Sequence, residues 1–94
     1  MEFDWDPAKN AENERKHGVS FADAVGLWDD LYVEVEEIAY SEDGEQRNAI
    51  LGRLSGKIYV AIWTKRGEVI RLISVRRARK NEEEVFFDKI QERS

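Results

Sequence analysis

The 94-residue sequence contains no cysteine, one histidine, one proline and no long apolar segment. Without cysteine, the chain can form neither disulfide bonds nor thiolate metal sites, and a reducing compartment is allowed. No apolar run approaches the ~20 residues that a membrane-spanning helix needs. The first residues also lack the basic end and apolar core of a secretory signal. We therefore expect a cytoplasmic protein with no membrane partner.

The single histidine, His17, also limits the chemistry that the chain can perform. Acidic residues are plentiful, but no histidine stands among them at the spacing of metal ligands. The sequence has no glycine-rich loop of the kind that cradles phosphates. It therefore predicts neither a metal site nor a cofactor.

Charge is distributed unevenly along the chain, although the formal net charge is only -5. Residues 1–46 carry a net charge of -11, and residues 47–94 carry a net charge of +6. The stretch 47–80 holds ten basic residues and one acidic residue. Such asymmetry indicates either a binding site for a polyanion or an acidic half that pairs with a basic half. Composition alone leaves both interpretations open.

Length and aromatic content predict one folded domain over residues 1–94. Asp6, Pro7 and Gly18 are typical of the two ends of a helix, and Ser20 is typical of the start of a second helix. Further along, apolar runs are separated by short turns, which favours antiparallel strands. We predict an α+β fold with two N-terminal helices, a four-stranded antiparallel meander sheet and a C-terminal helix. The predicted helices lie at 7–17, after 20 and at 81–92. The predicted strands lie at 33–40, 47–54, 58–64 and 69–76, with a bulge at 36–37 and a turn at 41–45. A further short strand is considered at 3–5.

Basic residues crowd the end of the last predicted strand and the start of the last helix, namely Arg71, Arg76, Arg77, Arg79 and Lys80. The planar guanidinium fork of arginine matches phosphate oxygens and keeps its charge at any working pH. Amide groups at the start of the helix add donors for an anion. The cluster therefore predicts a phosphate-binding site, and the alternative is a set of ion pairs with the acidic half.

Alternation along the last strand complicates this interpretation. It puts Arg71 and Arg77 on one face of the sheet. Ser74 and Arg76 then lie on the other face. All four line one groove only if the strand bulges or ends near Val75.

His17 ends the first predicted helix, and its imidazole can exchange a proton near neutral pH. General acid–base catalysis competes here with a simple interaction with the last carbonyls of the helix. Lys9 and Asn13 share its helical face. Asn13 could orient a substrate or lie on the surface, and Lys9 could support a phosphate or pair with acidic residues.

Two separate segments resemble the signatures of the BrnT-type toxins. The first is Phe-Asp-Trp-Asp-Pro-Ala-Lys at residues 3–9, followed by Asn13 and by Lys-His-Gly-Val-Ser-Phe at residues 16–21. The second is Ile-Arg-Leu-Ile-Ser-Val-Arg-Arg-Ala at residues 70–78, followed by Glu82. Arg47 and Gly52 also stand where the family has an arginine and a glycine. The resemblance spans nearly the whole chain in the same order.

This resemblance implies a RelE/ParE-like fold and a metal-independent endoribonuclease that arrests growth by cleaving RNA. It also implies a co-encoded antitoxin of the BrnA type with a ribbon-helix-helix domain, in a 2:2 complex that binds its own operator. Members of the family often have a tyrosine four residues after the glutamate, where this chain has Phe86. The matched positions are Lys9, Asn13, His17, Arg47, Arg71, Ser74, Arg76, Arg77 and Glu82.

Our leading hypothesis is an endoribonuclease in which Arg71, Arg76 and Arg77 bind the scissile phosphate. His17 is the candidate general acid or base. Ser74 is also included among the predicted catalytic residues. The supporting RNA contacts would be Lys9, Asn13, Arg47, Arg79, Lys80 and Glu82. Two other functions fit the same sequence: a catalytically idle module that acts with its partner as a corepressor, and a gyrase poison of the ParE type.

Overall fold

The computed structural model describes residues 1–40 and 45–93, with side chains for 1–35 and 45–93. The predicted turn at 41–45 therefore falls largely outside the described residues. In chain order the elements are β1 (Glu2–Trp5), α1 (Pro7–His17), α2 (Phe21–Ala24), a 3₁₀ helix (Val25–Asp29), β2 (Tyr32–Tyr40), β3 (Gln46–Leu54), β4 (Lys57–Arg66), β5 (Val69–Arg77) and α3 (Lys80–Glu92).

The strands form one mixed sheet in the order β1-β5-β4-β3-β2. The α+β class is confirmed, but the prediction of a four-stranded antiparallel sheet is wrong, because β1 adds a fifth strand that runs parallel to β5. Phe3 pairs with Ile70, and Trp5 pairs with Leu72. A hairpin can be predicted from the turn residues between its strands. The pairing of β1 with β5 joins distant parts of the sequence and has no such turn. The short strand considered at 3–5 is thus present.

Local sequence signals account for the antiparallel part of the sheet. Ser55 and Gly56 form the turn between β3 and β4, both with positive φ angles (53° and 77°), as a two-residue hairpin requires. The register of β2 against β3 shifts between Val35 and Ala39, which confirms the bulge predicted there.

Helix α1 has the predicted ends. The Asp6 carboxylate accepts a hydrogen bond from the Ala8 amide at 2.9 Å, and Pro7 takes the first helical position. Gly18 adopts φ 71°, a conformation that favours glycine, and its amide donates to the Glu14 carbonyl at 2.9 Å. These contacts satisfy backbone groups that a helix end otherwise leaves open.

The prediction of a second regular N-terminal helix is wrong. The hydroxyl of Ser20 caps α2 by accepting from the Asp23 amide at 3.1 Å, yet α2 ends at Ala24 and continues as the 3₁₀ helix. Gly26 stands at the change, where it weakens α-helix propensity. A Cβ atom on Gly52 of β3 would lie 3.1 Å from a side-chain carbon of Leu27. The tighter helix thus packs directly on the backbone of β3.

Each face of the sheet has its own hydrophobic core. On the first, which we call the α2 face, Phe21, Ala24 and Leu27 pack on strand residues such as Ile50 and Leu72. On the opposite, α3 face, Phe86 packs on strand residues from β2, β3 and β4, namely Val33, Ala49, Leu51, Ile58 and Val60. Helix α3 lies mainly over β2 and β3. The α3 face of β5 is therefore less covered by helix.

Helix α1 lies along the β5 edge, beyond the end of β1. The buried Asn13 amide donates to the carbonyls of Val75 (2.9 Å) and Val19 (3.1 Å), and its oxygen accepts from the Val75 amide at 3.0 Å. One side chain thereby pairs with the backbone groups of Val75 that a neighbouring strand would otherwise take. Among the described residues, no helix is long and apolar enough to cross a membrane.

Candidate active site

A bulge in β5 decides which side chains share the α3 face. Ser74 pairs with Ile62, but the next pair is Leu72 with Trp63, so Ile73 is the extra residue. An extra residue reverses the alternation on its N-terminal side. The strict alternation considered in the sequence therefore does not hold through this strand.

After this reversal, Arg71, Ser74 and Arg76 lie on the same face. They pair with Thr64, Ile62 and Val60, which alternate along β4 and share one side of it. Val60 belongs to the core beneath α3, so this side is the α3 face. We call these three residues the β5 triplet.

Arg76 is held firmly by a carboxylate from α3. Its guanidinium forms two parallel hydrogen bonds to Glu82, at 2.8 and 2.9 Å, and both side chains are largely buried, at 25% and 15% exposure. The Arg79 amide also donates to Glu82, at 2.8 Å. The Arg76 guanidinium, followed by this amide, holds the pKa of the Glu82 carboxyl below its ordinary value. Glu82 therefore joins the end of β5 to the start of α3.

Arg71 has a partner supplied by β1. Asp4 is its register neighbour, and the nearest atoms of the two side chains are 3.3 Å apart. The Asp4 side chain is half exposed, so this ion pair is a surface interaction of modest strength. The parallel strand that the sequence did not define thus places an acidic group beside the first member of the β5 triplet.

Arg47 adds a third cation to the same face. Asn48 pairs with Trp63, and continuing that register places Arg47 opposite Thr64, which itself pairs with Arg71. The Thr64 hydroxyl donates to the Gln46 carbonyl at 2.7 Å, in agreement with this placement. The Arg47 Nε atom is buried and finds no hydrogen-bond partner in the described part of the chain. A buried donor of this kind is costly unless an acceptor such as a phosphate oxygen reaches it.

The other residues predicted for the site lie around this face or away from it. Arg77 lies on the α2 face, where its guanidinium carbon is 5.8 Å from the centre of the Tyr59 ring. Arg79 and Lys80 are exposed at the start of α3. The structure therefore divides the predicted basic cluster into two faces and a helix end.

The α1 residues divide in a similar way. Asn13 is buried at the β5 edge with its amide bound to backbone, so the structure places it in a structural position. His17 and Lys9 are exposed and lie one turn of helix on either side of Asn13. The edge contact of Asn13 fixes α1 against β5 and leaves both of these side chains exposed.

Sequence reasoning missed the contributions of Asp4 and Thr64, and it considered a bulge in the last strand without locating it. The bulge had a signal, because the fully buried β5 positions Leu72 and Val75 are three residues apart rather than two. The pairing of Asp4 with Arg71 had none, since it depends on the parallel strand.

A comparison with protein families matches residues 5–82 to the model for the ribonuclease toxin BrnT of type II toxin–antitoxin systems. The matched range includes α1, the whole sheet from β2 to β5 and Glu82. The chain therefore belongs to the BrnT family of ribonuclease toxins. A comparison with curated proteins finds no match.

Proposed function

We propose that this protein is a metal-independent endoribonuclease toxin that cleaves RNA on the α3 face of β5. The observation that carries the proposal is the bulge at Ile73, which brings Arg71, Ser74 and Arg76 to one face. Membership of a ribonuclease toxin family supports the reaction type. The buried Nε of Arg47, which has no hydrogen-bond partner among the described residues, supports an anionic substrate at this face.

In the proposed reaction, the 2′-hydroxyl of a ribose attacks the adjacent phosphorus atom and loses its proton. The bond from phosphorus to the 5′-oxygen breaks, the leaving oxygen gains a proton, and a 2′,3′-cyclic phosphate remains. Negative charge builds up on the phosphate oxygens in the transition state. Guanidinium groups held in place before the reaction stabilise that charge without a metal ion. Arg71 and Arg76 take this role, with Arg47 in support.

The remaining roles follow from where the residues lie. Glu82 orients the Arg76 guanidinium, and Ser74 stands between the two arginines of the β5 triplet as a hydroxyl donor to the phosphate. His17, exposed at the end of α1, is our candidate for proton transfer, with Lys9 as a nearby cation. Arg79 and Lys80 extend the basic surface along the RNA backbone. Arg77 contributes charge from the other face, and Asn13 contributes by fixing α1.

The proposal includes a protein partner. Type II systems pair a toxin with a protein antitoxin, and we propose one of the BrnA type with a ribbon-helix-helix domain. The two would form a 2:2 complex that binds operator DNA and leaves the toxin inactive in the cytoplasm. Release of the toxin would then arrest growth through RNA cleavage. Membership of a type II toxin family supports the existence of an antitoxin partner.

The first test is cleavage of a labelled single-stranded RNA by purified Arg76→Ala protein in the presence of EDTA. We expect a loss of at least 100-fold in rate, the range found when one preorganised donor to a transition-state oxyanion is removed. Arg76→Lys, which keeps the charge but not the fork, should lose less. Lys57→Ala is the control for lost charge. Lys57 lies in the β3–β4 hairpin, on the opposite face of β4 from Val60, the partner of Arg76, and three residues or roughly 10 Å along the strand from it.

Thermal unfolding of each variant shows whether the fold is kept. Full cleavage by a folded Arg76→Ala protein would refute the role of Arg76, and cleavage that EDTA abolishes would refute metal independence. Induction of the toxin in cells, followed by a gel of total RNA, tests the activity in the cell. RNA that stays intact during growth arrest would point to the gyrase-poison alternative.

A further inference from the structure

A small cleft opens on the α3 face beside Glu82, between the first turns of α3 and the sheet. Its volume is about 110 Å³. Five aliphatic side chains form its walls and floor: Val35, Ala49, Leu51, Val60 and Val85. Asn81 and Glu82 supply its polar atoms. Helix α3 thus leaves an apolar slot with polar groups from its first turn.

The size and lining of this cleft suit one flat ring. Pockets that hold drug-sized molecules are about 300–1,000 Å³, so this one is too small for a larger ligand. Enzymes that take a base out of a stack hold it between apolar or aromatic side chains and bind its Watson–Crick edge with polar groups. An aliphatic slot with a carboxylate and an amide has both parts.

Its position connects the cleft with the β5 triplet. Glu82 lines the cleft and at the same time holds the Arg76 guanidinium at 2.8 and 2.9 Å. A nucleotide whose phosphate lies at Arg76 would therefore have its base next to the cleft. We propose that this cleft binds the unpaired base of the RNA at the cleaved bond and prefers a base with an exocyclic amino group, that is adenine, cytosine or guanine rather than uracil. This inference rests on the proposed function and deepens it.

The polar atoms explain the preference. The Oε1 atom of Glu82 already accepts from Arg76 and from the Arg79 amide, whereas Oε2 accepts only one bond among those resolved, from Arg76. A carboxylate oxygen has room for a second donor, and the amino group of adenine or cytosine supplies it. Guanine supplies its own amino group in the same way, whereas uracil has none, and the single N–H of its Watson–Crick edge lies between two carbonyl oxygens that the carboxylate repels.

Asn81 completes the recognition. Its side chain is exposed at the start of α3 and makes no hydrogen bond within the described residues. An amide both accepts and donates, so it can take the second amino hydrogen and donate to the neighbouring ring nitrogen. Adenine and cytosine both offer this donor–acceptor pair. Binding of the phosphate alone would not require the Glu82 oxygen and the Asn81 amide at this cleft.

The test measures binding of 3′-mononucleotides to the folded protein by NMR, with no cleavage step. AMP, CMP and GMP should bind about tenfold more tightly than UMP, as one well-made hydrogen-bonded pair predicts. Their largest shifts should fall on the amides of Asn81, Glu82 and Val85. Val85→Phe, which fills the slot from a position that is 42% exposed, should weaken AMP binding at least tenfold. Val85→Ala leaves the slot open and should retain binding.

A second variant covers the case in which Val85→Phe does not fold. Asn81→Leu lies on the surface of α3, and it should bring all four mononucleotides to similar affinity. Equal affinity in the unaltered protein, shifts elsewhere on the sheet, or AMP binding that survives a folded Val85→Phe would each overturn the inference. Mapped cleavage ends in a long RNA give an independent answer. Cleavage with no base preference refutes the cleft alone, whereas absence of cleavage refutes the proposed function alone.

Discussion

Replacing Asn13 by alanine should destabilise the protein far more than its place on a polar helix suggests. The side chain is 5% exposed and makes three hydrogen bonds, two with the backbone of Val75 and one with Val19. Alanine supplies none of them. The free energy of unfolding should fall for this reason alone, whatever RNA the protein binds.

The magnitude follows from the number of groups left without partners. A buried donor or acceptor without its partner costs about 1–3 kcal/mol, and carbonyls are somewhat more tolerant than amides. Three such groups give a loss of about 3 kcal/mol, out of the 5–15 kcal/mol that holds a typical domain together. For a domain of this size, that corresponds to a fall of about 12–24 °C in Tm.

Urea unfolding followed by tryptophan fluorescence measures this loss. Asn10→Ala is the matched control, because Asn10 accepts a single hydrogen bond from the Phe21 amide at 2.8 Å and should cost about 1 kcal/mol. Asn13→Asp removes both N–H donors and buries a carboxylate beside two carbonyls, which raises the pKa of the new carboxyl. That variant should therefore regain stability as the pH falls and the carboxyl becomes neutral.

A loss below 1 kcal/mol for Asn13→Ala, similar to that of Asn10→Ala, would refute the edge-pairing argument. RNA cleavage then tells the two roles of this asparagine apart. If Asn13 acts only by holding α1 in place, the variant should keep most of its cleavage rate at a temperature where it is fully folded. Any loss of rate would then come from displacement of α1. A complete loss of cleavage without a loss of stability would instead indicate direct contact with RNA.

Three further predictions concern the sheet and its charges. The pKa of Glu82 is lowered in the fold, so this group stabilises the protein above its ordinary value of 4.5, and the contribution is lost as pH falls through the folded pKa. Glu82→Gln should flatten the acid limb of a stability curve between pH 3 and 7, and an unchanged limb would contradict the role of the Arg76 contact. Gly52→Val should cost about 1–3 kcal/mol in urea unfolding because its side chain meets Leu27, and a neutral result would mean that the 3₁₀ helix moves freely. Arg71→Ala should cost at most about 1 kcal/mol of stability, since its partner is exposed, but should reduce the salt slope of single-strand RNA binding by about 0.7; an unchanged slope would remove it from the interface.

The parts of the fold that the sequence predicts are those with short-range signals. The ends of α1 rest on Asp6, Pro7 and Gly18, and the β3–β4 hairpin on Ser55 and Gly56, all within a few residues of the structure that they form. Strand β1 has no such signal, because its partner Val69–Leu72 lies near the other end of the chain. The short 3₁₀ helix depends on a close approach to Gly52, which only the packed structure reveals.

The candidate site was predictable as a set of residues but not as an arrangement. The density of arginines from Arg71 to Arg79 points to phosphate without any structure. Which of them act together depends on one unpaired residue, Ile73, that reverses the direction of Arg71. The polar stripe of α1 gives Asn13 and His17 the same pattern, yet the structure buries the first and exposes the second. Periodicity predicts which face of a helix a residue lies on. It does not predict that Asn13 on this face contacts the edge of β5.

The parallel pairing of β1 with β5 also bears on the order in which the protein is made. Strand β5 is the last strand to leave the ribosome, and until it does, β1 has no partner and Asp4 has no cation. The β5 triplet does not exist on a shorter nascent chain. Contacts between distant parts of a chain form late, since a large loop must close before they stabilise anything. The arginine face is thus assembled only after β5 has been synthesised, and products truncated before β5 lack it.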